Sequence, residues 1–117
     1  MFTAALVLSV LLAVFFVATG VPKIAGAKLM HDVADHFGLA DALVRGIGGA
    51  ELAGAAGLVI GLPVAPLGIA AATGLLVLMG GAVAFHIRAK DPAARIAGPV
   101  IAGLAAVATL ALRAGTA

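Results

Sequence analysis

The sequence predicts an all-α integral membrane protein, a four-transmembrane-helix bundle with a short interfacial helix between helices one and two. Two observations predict this class. Hydrophobic residues make up 64% of the 117 and charged residues only 10%, whereas soluble domains are roughly half apolar. The apolar residues are also gathered into four runs, each about as long as a helix needs to cross a hydrocarbon core of ~30 Å. We therefore expect one membrane domain over residues 1–117.

Charge, proline and glycine mark the limits of the four runs. The first run carries no charge and lacks the basic n-region of a secretory signal, so we expect a membrane helix that ends before Pro22 and Lys23. The predicted spans are residues 2–21, 44–62, 67–87 and 92–112.

Prolines and an aspartate predict details of the third and fourth spans. Pro66 suits the first turn of the third helix, where its missing N–H is not needed. Asp91 is placed to cap the fourth helix, with Pro92 at its first position. Pro99 lies inside that helix and predicts a kink, either a packing kink or a bend that opens a cavity.

The connection between the first two spans has the pattern of a short amphipathic helix over about residues 27–37. Its apolar residues follow helical spacing and its polar residues occupy the other faces. Gly38 is a suitable stop, and Asp41 is placed to cap the second membrane helix. We therefore expect this segment to lie at the membrane interface.

The distribution of positive charge predicts the orientation of the bundle. Four crossings put both termini on one side, where Arg113 lies. The opposite side carries Lys23, Lys28, Arg45, Arg88, Lys90 and Arg95. The positive-inside rule then predicts a cytoplasmic location for that side and extracytoplasmic termini.

Composition excludes several function classes. Cysteine is absent, which excludes disulfides, thiolate metal sites, cysteine-ligated iron–sulfur clusters and dithiol redox relays. The seven basic residues are few and are not interleaved with aromatic residues, so we predict no nucleic-acid partner. Membrane lipids are the expected surroundings.

Glu51, in the second span, is the most informative single residue. Counted from residue 44, it lies roughly 10 Å below the membrane entry of its helix. A carboxylate at that depth costs a few kcal/mol and should face a partner or a wet cavity. Glu51 is therefore predicted to exchange a proton or to bind the polar head of a lipid-like ligand; a structural glutamate is the alternative.

Three basic or titratable residues are candidate partners of Glu51. His86 lies near the cytoplasmic end of the antiparallel third helix, at a similar predicted depth, so a Glu51–His86 pair would support proton transfer. Lys23 is able to reach in from the first helix, although a snorkelling lysine is the alternative. Arg45 is six positions from Glu51 and does not share its face. We take Glu51, His86 and Lys23 as candidate catalytic residues, and Glu51, Arg45 and Gly54 as candidate ligand-binding residues.

Glycine is frequent within the apolar runs, at spacings of three and four. The ridge on the second helix comprises Gly49, Ala53, Gly57 and Gly61, with Gly46, Ala50 and Gly54 beside it. Small-residue ridges let helix backbones approach closely in lipid. We predict tight packing inside the bundle, with the seam of a homo-oligomer as the alternative.

The interfacial segment also contains two i,i+4 pairs, His31 with Asp35 and Asp32 with His36. This spacing suits a divalent metal, but a solvated, salt-bridged helix face explains it as well. We predict no metal site.

The chain resembles the DoxX-like family of small four-helix bacterial membrane proteins. The residues that carry the resemblance are residues 20–23 (Gly-Val-Pro-Lys), residues 49–52 (Gly-Ala-Glu-Leu) and the run from Leu75 to His86 with Arg88. It implies a four-helix bundle in the bacterial inner membrane and association with membrane oxidoreductases such as a thiosulfate:quinone oxidoreductase subunit. Lys23, Glu51 and His86 map onto the recurrent polar positions of the family.

The resulting hypothesis is a subunit or accessory of a quinone-linked membrane redox system. It predicts no intrinsic cofactor, with quinone as the candidate ligand, and a membrane redox subunit as the candidate partner. Two other classes stay open: a self-sufficient membrane enzyme, such as an isomerase, cyclase or epoxide-opening catalyst, acting on a lipophilic substrate through Glu51, and a structural or assembly protein.

Overall fold

A computed structural model describes residues 2–26 and 28–115, and this part of the chain is helical, with no strand. Ala27, the first residue of the predicted interfacial helix, lies outside the described residues. The helices are α1 (Phe2–Ala25), α2 (Lys28–Phe37), α3 (Asp41–Ile60), α4 (Ala65–Arg88) and α5 (Ala93–Gly115).

The long helices α1, α3, α4 and α5 are each long and apolar enough to cross a membrane. Each presents large aliphatic side chains outward: Val14, Ile60, Val77 and Ile101 are all more than half exposed. In water such a surface would be unfavourable, whereas in a bilayer these side chains contact lipid. The predicted four-helix membrane bundle is confirmed.

The long helices form a closed ring in the order α1, α3, α4, α5, and α2 packs against α3. At one end of the ring the Arg113 guanidinium lies over the Phe2 ring, 5.5 Å from its centroid. Arg113 also donates to the carbonyl oxygen of Gly61, in the α3–α4 turn. The described ends of the chain therefore share one end of the bundle with that turn, and α2 and the α4–α5 turn occupy the other, the α2 end.

The apolar core lies on the side of the termini and of the α3–α4 turn. Its largest fully buried members are Phe16 of α1, Leu58 of α3 and Leu75 of α4, and α5 contributes Ala102 and Ala106. This packing holds the four membrane helices together at that end. The α2 end instead holds most of the polar side chains that line the cavity described below.

Small residues set the spacing of the helices. A Cβ on Gly61 would lie 2.4 Å from the backbone nitrogen of Gly68, and one on Gly57 would lie 2.8 Å from Ala71 Cβ. A Cβ on Gly54 would lie 2.5 Å from a Leu75 methyl carbon. Gly57 and Gly61 of the predicted ridge, and Gly54 beside it, therefore pack α3 closely on α4, inside the bundle.

The predicted end of the first helix was wrong by about one turn. α1 continues through Pro22 to Ala25 instead of ending at residue 21. A proline inside a helix removes one backbone hydrogen bond, but membrane helices tolerate this loss because neighbouring groups satisfy the freed carbonyl. The continuation matters because it gives Lys23 a fixed helical position.

Two predicted caps were also wrong. α3 begins at Asp41 itself, and its carboxylate hydrogen-bonds His31 instead of capping the helix. α5 begins at Ala93, two residues after Asp91, whose carboxylate bonds histidines. In both cases an imidazole from another helix competes successfully for the carboxylate.

The predicted stop of the interfacial helix at Gly38 and the predicted place of Pro66 are confirmed. α2 ends at Phe37, and Gly38 follows with a positive φ of 68°, a conformation that glycine adopts without strain. Pro66 lies in the first turn of α4. Pro99 lies inside α5, where the predicted kink stays a prediction.

Candidate functional site

A cavity of about 890 Å³ lies at the α2 end of the bundle. Every helix contributes to its wall, and α2 covers it with the apolar side chains of Leu29, Met30, Val33 and Phe37. Most of the remaining wall is apolar. Apart from Asp32, the polar side chains of the wall form two groups, which lie at different depths.

The deeper polar group is centred on Glu51, which is only 2% exposed. Lys23 Nζ lies 2.8 Å from Glu51 Oε1, and the Thr19 hydroxyl donates to Oε2. Both carboxylate oxygens are therefore bonded by groups from α1. An ion-pair or hydrogen-bond partner offsets the desolvation cost of a carboxylate buried in a membrane.

The local sequence explains why these three side chains meet. Thr19 and Lys23 are four residues apart, so they share one face of α1. Gly20 and Gly48 form the crossing of α1 and α3: a Cβ on Gly48 would lie 2.8 Å from the Gly20 carbonyl oxygen. This close approach brings the face of α1 within hydrogen-bonding distance of Glu51.

Lys23 retains hydrogen-bonding capacity. Its ammonium has three N–H donors, and among the described residues it uses them on Glu51 Oε1 and on the Thr19 carbonyl oxygen, at 3.1 Å. The side chain lines the cavity and is 21% exposed. One N–H is thus available to a carbonyl or hydroxyl oxygen of a ligand.

The second polar group lies where the cavity wall reaches the outer surface of the α2 end, at His36 and Arg95, and we call this place the cavity mouth. The group is centred on Asp91, whose side chain is 3% exposed. His86 Nδ1 lies 2.5 Å from Asp91 Oδ2, and His36 Nε2 lies 2.7 Å from Oδ1. The Arg95 guanidinium is 3.8 Å from Oδ1. These hydrogen bonds, that of His86 first, hold the pKa of Asp91 below its ordinary value of 3.8, although desolvation acts in the opposite direction.

The structure does not bring Glu51 and His86 into the predicted pair. Glu51 lies ten residues after the start of α3, or ~15 Å along the axis, whereas His86 lies two residues before the end of α4, or ~3 Å. Their depths therefore differ by ~12 Å. Both line the same cavity, but in the described part of the chain the hydrogen-bond partner of His86 is Asp91.

The other two candidate ligand-binding residues lie outside the wall of this cavity. Arg45 is exposed on α3, with its guanidinium against the backbone of Gly26. Gly54 packs against Leu75 at the α3–α4 contact. Of the named candidates, the cavity brings together Lys23, Glu51 and His86.

Sequence reasoning missed Thr19, Asp91 and His36 as members of these groups. Thr19 was detectable, because it precedes Lys23 by one helical turn. Asp91 was assigned to a helix cap, and its contact with His36 joins residues 55 positions apart, which no local pattern indicates.

The two histidines of the predicted i,i+4 pairs of α2 bond carboxylates that lie outside α2. His31 Nδ1 bonds Asp41, at 2.9 Å, and His36 bonds Asp91. Within residues 2–26 and 28–115, no group of three or more His, Cys, Asp or Glu side chains is arranged to hold a metal ion.

Comparison with known proteins agrees with this architecture. No curated protein and no solved structure gives a significant match. The model of the DoxX-like family matches residues 7–109, which include both polar groups and nearly all of the bundle. The chain therefore belongs to the DoxX-like family and is a multi-pass membrane protein.

Proposed function

We propose that this chain binds a quinone or quinol in the cavity at the α2 end, as a subunit or accessory of a quinone-linked membrane oxidoreductase system. The observation that carries the proposal is the Glu51–Lys23–Thr19 cluster in the wall of an otherwise mostly apolar cavity. Such a combination suits a ligand with a polar head and an apolar body.

The dimensions and exposure of the cavity support a lipophilic ligand. Its volume of about 890 Å³ lies within the range of small-molecule sites, roughly 300–1,000 Å³. Val77, which is 71% exposed, and Leu29, which is 66% exposed, are both apolar residues of its wall. Because Val77 lies near the middle of α4, the ligand enters from the hydrocarbon region of the bilayer.

The polar cluster provides groups for binding and for proton exchange. The available N–H of Lys23 donates to a head-group oxygen, and the Glu51 carboxylate accepts a proton from a hydroxyl or returns it. Reduction of a quinone to a quinol takes two electrons and two protons, and the proposal assigns the electrons to a partner subunit. The role of the present chain is thus to hold the head group and to exchange its protons.

The location follows from the same proposal. We place the chain in the bacterial inner membrane with the α2 end toward the cytoplasm, as the positive charges around α2 favour. Protons for the ligand then come from the cytoplasmic side.

Quinone retention tests this proposal. The protein is purified from membranes into lipid nanodiscs, and the quinone content is measured after solvent extraction. Wild type should carry quinone above the level of empty nanodiscs, and Lys23→Met should carry less, because it removes the donor. Lys28→Met, on the exposed side of α2, is the matched control. If wild type retains no quinone and deletion leaves membrane redox activity unchanged, the proposal fails.

Glu51 also supports the second candidate, a self-sufficient acid–base enzyme for a lipophilic substrate. The observation in its favour is that the carboxylate is held in a fixed position inside a ligand-sized cavity. Glu51→Gln keeps the shape but removes proton transfer. It should abolish turnover in an enzyme, whereas assembly with a redox partner should survive.

A further inference from the structure

The turn between α4 and α5 places a buried carboxylate, Asp91, at the cavity mouth, and the proposed binding of a head group at Glu51 does not use it. The Asp91 N–H donates to the His86 carbonyl oxygen and the Lys90 N–H to that of Ile87, each at 3.0 Å. This is the Schellman pattern of helix termination, with Lys90 in the left-handed conformation at φ 58°. The pattern folds Asp91 back over His86.

The Asp91 carboxylate decides which imidazole nitrogens carry hydrogen. An ionised carboxylate only accepts hydrogen bonds. His86 must therefore donate through Nδ1–H, and His36 through Nε2–H. When its imidazole is neutral, His86 is left with an unprotonated Nε2, because each neutral ring carries one N–H.

The unprotonated nitrogen of His86 belongs to a side chain of the cavity wall. His86 lines the cavity, its side chain is 20% exposed, and its ring packs edge-on against Phe37 of α2. In residues 2–26 and 28–115 no hydrogen bond engages Nε2. An imidazole that a carboxylate holds by Nδ1–H is oriented to accept a proton at Nε2.

We propose that Asp91 is a positioning residue, which fixes the tautomer and orientation of His86 so that His86 exchanges protons between the cavity and the aqueous phase at the α2 end. This rests on the proposed function, because the protons are those of the bound quinol. In one direction water in the cavity carries a proton from the head group to Nε2, which then gives it to solvent, and the reverse sequence supplies one. Each transfer converts the neutral Nδ1–H imidazole to imidazolium or back.

The two polar groups have different roles because they lie at different depths in the cavity. Glu51 and His86 are separated by ~12 Å along the bundle axis, which exceeds hydrogen-bond reach. Glu51 therefore exchanges protons with the head group, and His86 acts nearer the mouth. His36, on α2, is held by the same carboxylate and is 41% exposed.

Nitrogen NMR of histidine tests the proposal without any ligand. The chain has three histidines, so ¹⁵N-histidine-labelled protein in nanodiscs gives an assignable spectrum with each single His→Gln variant. At a pH where the rings are neutral, His86 should be the Nδ1–H tautomer and His36 the Nε2–H tautomer. Asp91→Asn should cause loss of the uniform Nδ1–H signal of His86. Asp41→Asn, which alters the carboxylate beside His31, is the matched control and should leave His86 unchanged.

The spectra of wild type alone are sufficient to overturn the proposal, even if Asp91→Asn does not fold. A wild-type His86 that is mainly the Nε2–H tautomer contradicts it, as does a His86 signal that is the same in Asp91→Asn. Addition of a short-chain quinol should then shift His86 Nε2 but not His31. If quinol binds in a Lys23-dependent way and His86 does not respond, proton exchange by His86 is wrong. If no quinol binds, the proposed function fails, while the tautomer result still decides the role of Asp91.

Discussion

Lys23 of α1 and Glu51 of α3 form an ion pair, with Nζ and Oε1 2.8 Å apart, within the membrane-spanning part of the bundle. The Glu51 side chain is almost fully buried, and Lys23 reaches the cavity. The pair therefore links two helices and also presents polar atoms to the cavity. We therefore expect stability and the proposed ligand binding to depend on the same contact.

Loss of Lys23 should destabilise the fold because it leaves the Glu51 carboxylate without its counter-charge. We expect Lys23→Met to lower the free energy of unfolding by about 3–5 kcal/mol. The measurement is an SDS titration in mixed micelles. The double variant Lys23→Met with Glu51→Gln should recover part of the loss, since no charge remains buried. A loss in the double variant equal to the sum of the losses of Lys23→Met and Glu51→Gln measured separately would show that the two residues are not coupled.

Gly48 should not tolerate a side chain. A Cβ there would lie 2.6 Å from Lys23 Cβ and 2.8 Å from the Gly20 carbonyl oxygen, so Gly48→Ala must separate α1 from α3. We expect a loss of about 1–3 kcal/mol and weaker quinone retention. The control is Gly49→Ala, whose Cβ would meet nothing within 4 Å among the described residues. That variant should be neutral or stabilising by up to about 1 kcal/mol.

Arg113 should stabilise the end of the bundle opposite the cavity. Its guanidinium donates to the carbonyl oxygens of Gly61 and Leu62, at 3.0 and 3.1 Å, where α3 ends. Arg113→Met removes a charged donor from buried carbonyls and should cost about 1.5–3 kcal/mol in the same titration. Quinone content per folded protein should stay at the wild-type level, because the residue is remote from the cavity. A large fall in quinone content with unchanged stability would contradict this division.

The contribution of Asp91 to stability should depend on pH in a defined direction. The hydrogen bond from His86, followed by that from His36, holds its pKa below 3.8 in the folded protein. A carboxyl group with a depressed folded-state pKa stabilises the fold above its unfolded pKa and loses this effect as pH falls through the folded value. The difference in thermal midpoint between wild type and Asp91→Asn should therefore persist above pH 3.8 and shrink below it. A difference that vanishes between pH 7 and pH 5 would contradict the contact.

Hydropathy and charge were sufficient to predict the bundle, because crossing a bilayer imposes length and composition on each helix. The same constraint indicated that Glu51 needs a partner. The sequence could not show which partner, since Pro22 suggested the end of a helix that in fact continues past Lys23. The helix-ending signal of Pro22 was outweighed there by the packing of α1 on α3 across Gly20 and Gly48.

The mouth of the cavity was less predictable for a related reason. Asp91 precedes a proline and is a residue type that often caps helices, so the sequence predicted it to be the N-cap of α5. The actual turn depends on Lys90 in the left-handed conformation, which is uncommon for residues other than glycine. That single backbone conformation redirects Asp91 to His86 and His36, and the resulting cluster joins three separate elements.

The most direct test of the central claim is an experimental structure of the protein in a bilayer that contains quinone. We predict head-group density in the cavity at the α2 end, with an oxygen within hydrogen-bonding distance of Lys23 Nζ and with the isoprenoid chain passing Val77 into lipid. A cavity closed by side chains, or filled by an acyl chain with no polar group near Lys23 and Glu51, would contradict the account.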